Sequence, residues 1–301
     1  LSFSLEQKSI LHMYKFIIFN SFVFLMSFAQ PIYSCSQAED SSRVTIAGGS
    51  LTEIIYLLRQ EDKLVAVDIT SNFPEEAKQL PSIGYVRALS AEGVLSLSPS
   101  LILGEDDTGP PAVMEQLSRV GIQIEIIPEE NTADGIIKKV KCVAEILGVN
   151  DNIKDETLSN LNADANELKL LTETNKKEPP KVMFILSMES GSPTVGGRDT
   201  SADGLIKMTG ALNVMDSFEG WKPVSTEAII QAKPDFILIS ERGLSSFGLI
   251  EKLGQHPSLV FTPAAKNNNI IAMDGMAMLG FGPRTISSAK DIAQKYNYSN
   301  E

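Results

Sequence analysis

Tyr85 could ligate a metal ion of high positive charge, and Arg87, two residues further on, could help its phenol to ionise. A tyrosine phenolate is a hard anionic ligand that suits ferric iron. A free phenol has a pKa of about 10, so at neutral pH the metal and a neighbouring cation must help it to ionise. Arg87 follows Tyr85 by two positions, and in extended backbone the two side chains would share one face. Taken alone, Tyr85 could also be an ordinary loop tyrosine, and composition by itself favours that alternative.

A framework of alternating strands and helices is predicted to hold these residues. Short apolar runs predict buried strands, and apolar residues at helical spacing predict the helices between them. In the first half of the chain the predicted strands are residues 44–47, 64–67, 100–103 and 122–127, and the predicted helices are residues 51–58, 113–120 and 135–147. This alternation is typical of a parallel sheet covered by helices on both faces.

A second lobe of the same kind is predicted in the other half of the chain. Residues 151–178 carry leucines at helical spacing among polar residues, which predicts one long connecting helix, with a disordered linker as the alternative. Residues 90–103 and 225–238 repeat one pattern of Ser, Glu, Pro and apolar residues at an offset of 135 positions. The sequence therefore predicts an α/β protein of two Rossmann-like lobes with parallel sheets, residues 43–150 and 179–301, joined by the helix.

Two such lobes would leave a ligand crevice between them, because ligands bind at the carboxyl ends of parallel strands. The loops expected to line it are residues 48–50, 82–87, 105–111, 187–200 and 218–223. Several of these loops contain glycines, which let a bulky ligand approach the backbone closely.

Stretches along these loops resemble one known family. The most specific is Gly-Tyr-Val-Arg-Ala-Leu-Ser-Ala-Glu-Gly-Val-Leu at residues 84–95, and the others are residues 48–54, 109–111, 191–200, 221–223 and 279–284. From about residue 43 onward the chain resembles the substrate-binding proteins of bacterial haem ABC importers, within the cobalamin- and siderophore-binding superfamily. The resemblance implies a protein without enzymatic activity that captures haem b non-covalently and delivers it to permease subunits.

The family places its haem-iron ligand on the tyrosine of the most specific stretch, which is Tyr85 here, beside Arg87. Arg198, in a Gly-Gly-Arg-Asp-Thr loop, could bind a haem propionate or form a surface salt bridge. Trp221 could stack on the macrocycle or pack between the lobes. Met188 could ligate the iron weakly from the other side, where some family members carry a histidine, but a core methionine is favoured. His256 lies in a surface-like segment and is not favoured as a ligand.

Glu92 and Glu227 occupy equivalent positions in the first turns of the two repeated helices. A negative charge there interacts favourably with the helix dipole, which is the simpler explanation. The superfamily uses glutamates at such positions, one in each lobe, to dock on arginines of the membrane permease. We therefore expect Glu92 and Glu227 to contact an ABC importer permease, and we expect the protein to be a monomer.

The first 34 residues are typical of an export signal, with Met13 as the initiator and residues 1–12 as an over-extended reading frame. The apolar stretch 16–29 is too short to span a bilayer comfortably and fits a signal peptide. Cleavage could follow Ala29, or it could precede Cys35, which would then carry a lipid on the outer face of the cytoplasmic membrane. The first route predicts a periplasmic protein and the second a lipid-anchored one, while an uncleaved anchor helix is the less favoured alternative. Cys142 is expected to be a small buried apolar residue.

Charge and missing motifs argue against several other functions. The 38 acidic and 26 basic residues, with a net charge of −12, argue against nucleic acid as the main partner. Nucleophile-elbow, phosphate-loop and zinc-protease motifs are absent from the sequence, so no enzyme is predicted. The acidic run 105–107 could hold a cation, but a solvated loop is favoured. Binding of cobalamin or a ferric siderophore on the same fold stays open as the alternative function.

Overall fold

The computed structural model describes residues 35–173, 178–188, 192–245 and 247–298 of the 301-residue chain. The predicted export signal, residues 1–34, lies outside these ranges. From Cys35 onward the chain forms one compact unit. Within the described residues, none of the helices combines the length and the apolar character needed to cross a membrane.

A parallel sheet forms the centre of the N-terminal lobe. Its strands lie in the order β2-β1-β3-β4, and every neighbouring pair is parallel. Their bounds are β1 (Val44–Ala47), β2 (Leu64–Val67), β3 (Leu101–Gly104) and β4 (Gln123–Ile126). The first two match their predicted bounds, and the other two differ by one residue at each end. The central strands β1 and β3 are completely buried, which explains their largely apolar sequences.

Helices cover this sheet and lie within two residues of their predicted bounds where a helix was predicted. They are α1 (Gly49–Leu57), α2 (Ala91–Leu95), α3 (Pro111–Arg119) and α4 (Ala133–Ile146). The hydroxyl of Ser90 accepts a hydrogen bond from the N–H of Gly93 at the start of α2. Thr132 caps α4 in the same way through the N–H of Gly135. These caps satisfy backbone donors that the first helical turn leaves free.

One long helix, α5 (Asp151–Glu173), connects the lobes, as the leucine spacing predicts. Leu161 and Leu168 are buried on its inner face, and Leu158 and Leu171 pack partly buried against the same core. A disordered linker is therefore excluded for this segment. Residues 174–177, the next part of the predicted helix, lie outside the described ranges.

The sheet of the C-terminal lobe is mixed rather than wholly parallel. Its strands lie in the order β10-β9-β5-β6-β8, with β7 beside β5. Their bounds are β5 (Lys181–Ser187), β6 (Thr194–Gly196), β7 (Leu212–Asn213), β8 (Trp221–Pro223), β9 (Phe236–Ser240) and β10 (Ile270–Met273). β6 runs antiparallel to both β5 and β8. Only residues 188–193 separate β5 from β6, whereas a parallel crossover needs about a dozen residues or more.

The helices of this lobe surround the mixed sheet. They are α6 (Ser201–Met208), α7 (Thr226–Ala232), α8 (Glu241–Ser245), α9 (Ile250–Gly254), α10 (Pro263–Lys266), α11 (Gly275–Leu279) and α12 (Pro283–Tyr298). The sequence repeat corresponds to α2 followed by β3 in one lobe and α7 followed by β9 in the other. Ser225 caps α7 through the N–H of Ala228, as Ser90 caps α2. The predicted two-lobed α/β class is confirmed.

One apolar core runs through both lobes. It includes Ile46 and Leu51 of the N-terminal lobe, Leu161 of α5, and Phe184 and Ile286 of the C-terminal lobe. α12 packs against α1, α4, α5 and α6. Because interiors of this kind are close-packed, we expect the two lobes to move little relative to each other.

Cys142 is not the isolated apolar residue that the sequence predicts. It forms a disulfide with Cys35, 107 positions earlier in the chain. The N-terminal segment that carries Cys35 lies along the end of α4, where the N–H of Ala38 donates to the carbonyl of Ile146 at 2.9 Å. A pairing over this sequence separation depends on the tertiary course of the segment, which local sequence patterns do not contain.

Candidate functional site

A cavity of about 350 Å³ lies between the two lobes, next to the carboxyl ends of the N-terminal strands. The lining residues are Thr70, Tyr85, Val86, Arg87, Glu105, Asp107, Glu129, Asn131, Ser201, Met276, Leu279 and Gly280. The N-terminal lobe contributes the loops after β2, β3 and β4, and the C-terminal lobe contributes α11 and the start of α6. Its volume falls within the roughly 300–1,000 Å³ typical of small-molecule sites. The predicted crevice loops 82–87 and 105–111 both reach it.

Tyr85 lies at the wall of this cavity and is 40% exposed. Gly84 before it has a φ of +89°, a backbone conformation that favours glycine. The carbonyl of Gly84 accepts a 2.9 Å hydrogen bond from the N–H of Ile69 in the loop after β2. The turn at Gly84 and this hydrogen bond therefore hold the Tyr85 backbone in place while its ring stays accessible from the cavity.

Arg87 lies close to Tyr85, although the backbone between them is not extended as assumed from the sequence. Residues Val86–Ala88 form a 3₁₀ turn, and the guanidinium carbon of Arg87 is 6.0 Å from the centroid of the Tyr85 ring. Arg87 Nε donates a 2.6 Å hydrogen bond to Asp107 Oδ2, which raises the pKa of Arg87. The phenol therefore has a cation beside it, and a carboxylate partly balances that cation.

Asp107 lines the cavity, although the acidic run that contains it predicts a solvated loop. The three acidic side chains of that loop have different partners. Glu105 contacts Ser50, Asp106 Oδ2 accepts from the N–H of Glu129 at 3.2 Å, and Asp107 contacts Arg87. In the part of the chain that the structure describes, no group of three or more His, Cys, Asp or Glu side chains is arranged to hold a metal ion. The three acidic side chains of the run are therefore divided among three separate partners.

Glu105 belongs to a partly buried polar cluster at the cavity wall, which local sequence patterns do not indicate. Ser50 Oγ donates a 2.5 Å hydrogen bond to Glu105 Oε1. Lys139, only 2% exposed, donates to Ser50 Oγ at 3.1 Å and to the carboxylate of Glu129. Burial and, to a lesser extent, the charge of Glu129 raise the pKa of Glu105 to about 8, against the opposing effects of Lys139 and Ser50. Glu105 therefore contributes a largely protonated carboxyl group at neutral pH.

Gly48 makes room for this cluster at the end of β1. Its φ is +142°, a conformation that L side chains rarely adopt, and a Cβ there would overlap the carboxylate of Glu105. Its N–H donates to Asp68 Oδ1 at 3.2 Å, which joins the turn to the loop after β2. The glycine is therefore required both by its backbone conformation and by the space that Glu105 occupies.

Arg198 lies in the second lobe, in the loop between β6 and α6, outside the cavity lining given above. Its guanidinium donates to Glu219 Oε1 at 3.1 Å and to the carbonyl of Asp216 at 2.9 Å. The side chain is 47% exposed. In this structure Arg198 therefore forms a surface ion pair, which is the alternative to propionate binding.

Trp221 and Met188 also lie outside that lining. Trp221 is the first residue of β8, and its ring meets Phe184 edge-on at a centroid distance of 6.0 Å. Met188 follows β5 and is 8% exposed in the apolar core of the C-terminal lobe. Met188 is therefore buried as a core methionine would be, whereas the ring contact of Trp221 is with Phe184 of the same lobe.

Glu92 and Glu227 are exposed at the second positions of α2 and α7. A backbone hydrogen bond and the hydroxyl of Ser225 lower the pKa of Glu227. Both side chains are therefore available to a partner on the protein surface.

His256 is partly buried, with its Nδ1 accepting from the N–H of Ser258 at 3.2 Å and its ring 5.9 Å from that of Phe247.

The fold and the cavity between the lobes are those of an extracytoplasmic solute-binding protein. The chain belongs to the periplasmic binding protein family, whose model matches residues 44–277. The matched region contains the connecting helix and every lining residue except Leu279 and Gly280. Proteins of this family bind solutes and are in general not enzymes.

Two solved structures resemble the chain over most of its length. The periplasmic heme-binding protein RhuT from Roseiflexus sp. RS-1 has 33% identity and a TM-score of 0.80, over 87% of this chain and 100% of its own. The periplasmic heme-binding protein HutB of Vibrio cholerae has 35% identity and a TM-score of 0.76, over 85% of this chain and 99% of its own. The expected resemblance to haem-binding proteins of ABC importers is therefore confirmed.

A curated relative is named for a different tetrapyrrole. The vitamin B12-binding protein of Photorhabdus laumondii is 26% identical over 276 residues, which are 91% of this chain and 93% of the relative. The family is therefore clear, while its members differ in the solute that they bind.

Proposed function

We propose that this protein binds haem outside the cytoplasmic membrane and delivers it to the permease of an ABC importer. The position of Tyr85 carries the proposal. An accessible phenol lies on the wall of the cavity between the lobes, with the cation of Arg87 beside it. Tyrosine is an axial ligand of haem iron, and a nearby positive charge favours the phenolate form that ligates ferric iron.

Cobalamin is the second candidate, because the vitamin B12-binding relative matches nearly the whole chain. Identity favours haem, at 33% and 35% to the two heme-binding proteins against 26% to that relative. The chemistry at Tyr85 also favours haem, since a phenolate is a strong ligand for the ferric iron of free haem.

The other site residues have subsidiary roles in this proposal. Arg87 stabilises the phenolate, and the protonated Glu105 supplies a neutral polar group rather than a further anion. Arg198 would bind a haem propionate by exchanging its present contact with Glu219, and Trp221 would support the ligand by stacking. Met188 would need to leave the apolar core to reach iron, so we assign it to packing.

Titration with haemin, followed by absorption spectra, tests this function. Wild-type protein should give a saturable Soret shift and the charge-transfer absorption of a ferric phenolate complex. Tyr85→Phe keeps the ring and removes the ligating oxygen, so it should lose the charge-transfer absorption and bind at least tenfold more weakly, about 1.4 kcal/mol. Tyr56→Phe, on the partly buried face of α1, is the matched control and should behave as wild type.

Cobalamin should be titrated in parallel by calorimetry. Tighter binding of cobalamin than of haemin would reject haem as the solute and support the second candidate. Retention of the wild-type ferric spectrum by Tyr85→Phe would instead place the iron ligand elsewhere in the protein.

A further inference from the structure

The first described residues, beginning at Cys35, are held against the N-terminal lobe by contacts that do not involve sulfur. Ala38 is buried, and its N–H donates to the carbonyl of Ile146 at the end of α4 at 2.9 Å. The N–H of Glu39 donates to Gln123 Oε1 at 3.0 Å. These contacts place the segment beside α4 independently of any bond between the cysteines.

Cys35 is thereby brought next to Cys142. Their Cα atoms are 5.2 Å apart, within the roughly 4.4–6.8 Å usual for a disulfide, and their sulfurs are bonded. Cys142 is 8% exposed on α4, and Cys35 packs partly buried against the same core. The sequence contains no other cysteine, so each has a single partner within the chain.

We infer that Cys35 of the mature protein is one half of a disulfide with Cys142 and not a lipid-modified cysteine. A lipid anchor at this position would use the sulfur of Cys35 for a thioether, and one sulfur cannot hold both bonds. Lipidation would also leave Cys142 as a free thiol in a buried position. The disulfide therefore decides between the two processing routes that the sequence leaves open, and it favours cleavage after Ala29.

Formation of the disulfide between Cys35 and Cys142 fits the periplasm, the compartment of this protein family. Formation of the bond removes one proton and one electron from each thiol. The two electrons pass to a disulfide-donating oxidoreductase of the extracytoplasmic space, whose own disulfide is reduced to a dithiol. The periplasm is an oxidising environment in which such bonds form and persist, and the chain belongs to a periplasmic family.

Intact-mass measurement of the full chain, exported with its own leader by a bacterial host that lipidates lipoproteins, tests the inference. The protein should be alkylated with iodoacetamide before and after reduction. We expect no alkylated cysteine before reduction, two after reduction, and no lipid mass. A thiol that is alkylated before reduction, or a diacylglyceryl group on Cys35, overturns the inference.

A pair of matched variants distinguishes a disulfide at Cys35 from a lipid modification without relying on the mass alone. Cys35→Ala and Cys142→Ala should each leave one alkylatable thiol, and both should appear in the extracytoplasmic soluble fraction with wild type. If Cys35 carried lipid, Cys142→Ala would stay with the membrane while Cys35→Ala would be released, which would contradict the inference. If either variant fails to fold, the wild-type mass still decides.

Reduction gives a further readout on the same proteins. Reductant should lower the Tm of the wild type to that of the double variant Cys35→Ala/Cys142→Ala and leave the double variant unchanged. A wild-type Tm that equals that of the double variant before reduction, and does not change on full reduction, would show that no bond links the two cysteines and would overturn the assignment.

Discussion

Glu53 of α1 accepts a 2.6 Å hydrogen bond from Arg284 of α12, which joins residues 231 positions apart. The carboxylate side chain is 4% exposed and the guanidinium side chain 25%. Arg284 also forms an ion pair with Asp274 at 3.1 Å, and its guanidinium carbon lies 4.1 Å from the centroid of the Phe73 ring. Arg284 therefore connects a helix and a loop of the N-terminal lobe to the C-terminal lobe, beside the shared core.

Arg284→Ala should destabilise the protein by about 3 kcal/mol, because it leaves the buried carboxylate of Glu53 without its cation. Urea unfolding checks this value through the transition midpoint. Arg119→Ala is the matched control, since its ion pair with Glu115 has side chains 74% and 63% exposed. Exposed pairs contribute about 0–1 kcal/mol, so equal losses in the two variants would contradict a structural role for the Glu53–Arg284 pair.

Glu105 should make the stability of the protein fall as the pH rises. The pKa of Glu105 is about 8 in the folded protein, above the value of about 4.3 for an unfolded glutamate. The folded state therefore keeps a proton that the unfolded chain releases, so this contribution is full below about pH 4 and is lost as the pH rises through about 8. Glu129, Lys139, Ser50 and Asp107 act on the same carboxyl, so the transition belongs to the cluster.

Glu105→Gln removes the titrating proton and keeps an oxygen that can accept from Ser50. Its Tm relative to wild type should rise between about pH 5 and about pH 9, at roughly 2 to 4 °C for each kcal/mol recovered. Glu115→Gln, on the exposed surface of α3, should show no such trend. A constant difference between Glu105→Gln and wild type across this range would show that Glu105 does not hold its proton in the folded state.

Arg87 and Asp107 should affect haem binding in opposite directions if Tyr85 ligates the iron. Arg87→Ala removes the cation beside the phenol, so it should weaken binding by about 3-fold and move its onset to higher pH. Asp107→Asn frees the charge of Arg87, so it should strengthen binding to a similar extent and move the onset to lower pH. The effects are small because the two side chains are 62% and 39% exposed.

Haemin affinity measured from about pH 6 to about pH 9 checks these two shifts. Asp106→Asn is the control, since it removes the neighbouring charge while the contact between Arg87 and Asp107 is kept. Shifts of the same sign in Arg87→Ala and Asp107→Asn would mean that the pair acts through structure rather than through charge.

Glu92→Ala/Glu227→Ala should leave haem binding unchanged and reduce stimulation of the importer ATPase. Both residues are exposed, so they are expected to make rim contacts with permease arginines that salt screens. ATPase activity of the reconstituted importer at increasing salt measures the effect. Glu75→Ala/Glu173→Ala removes two other exposed carboxylates, 79% and 62% exposed, and should stimulate normally. Equal stimulation by both double variants would leave the two glutamates with only the favourable interaction with the helix dipole.

The sequence by itself determined the strands and helices that depend only on the pattern of neighbouring residues. β1 and β2 have their predicted bounds because each is a short, mostly apolar run, and such runs favour burial. Leucines at helical spacing likewise predicted α5, since they form one apolar face whatever that face packs against. The turn at Gly84 that holds Tyr85 in place belongs to a specific stretch of sequence, so Tyr85 and Arg87 can be named as candidate site residues without knowledge of their surroundings.

Only the tertiary structure decided which distant residues meet. The bond between Cys35 and Cys142, the contact of Arg87 with Asp107, the contact of Glu53 with Arg284, and the antiparallel direction of β6 all depend on how separate segments pack. Local periodicity reports which side of an element is buried, and it carries no information about the partner on the other side of the interface. These contacts form only when the whole chain folds around its shared core, because folding is what buries particular polar groups next to one another.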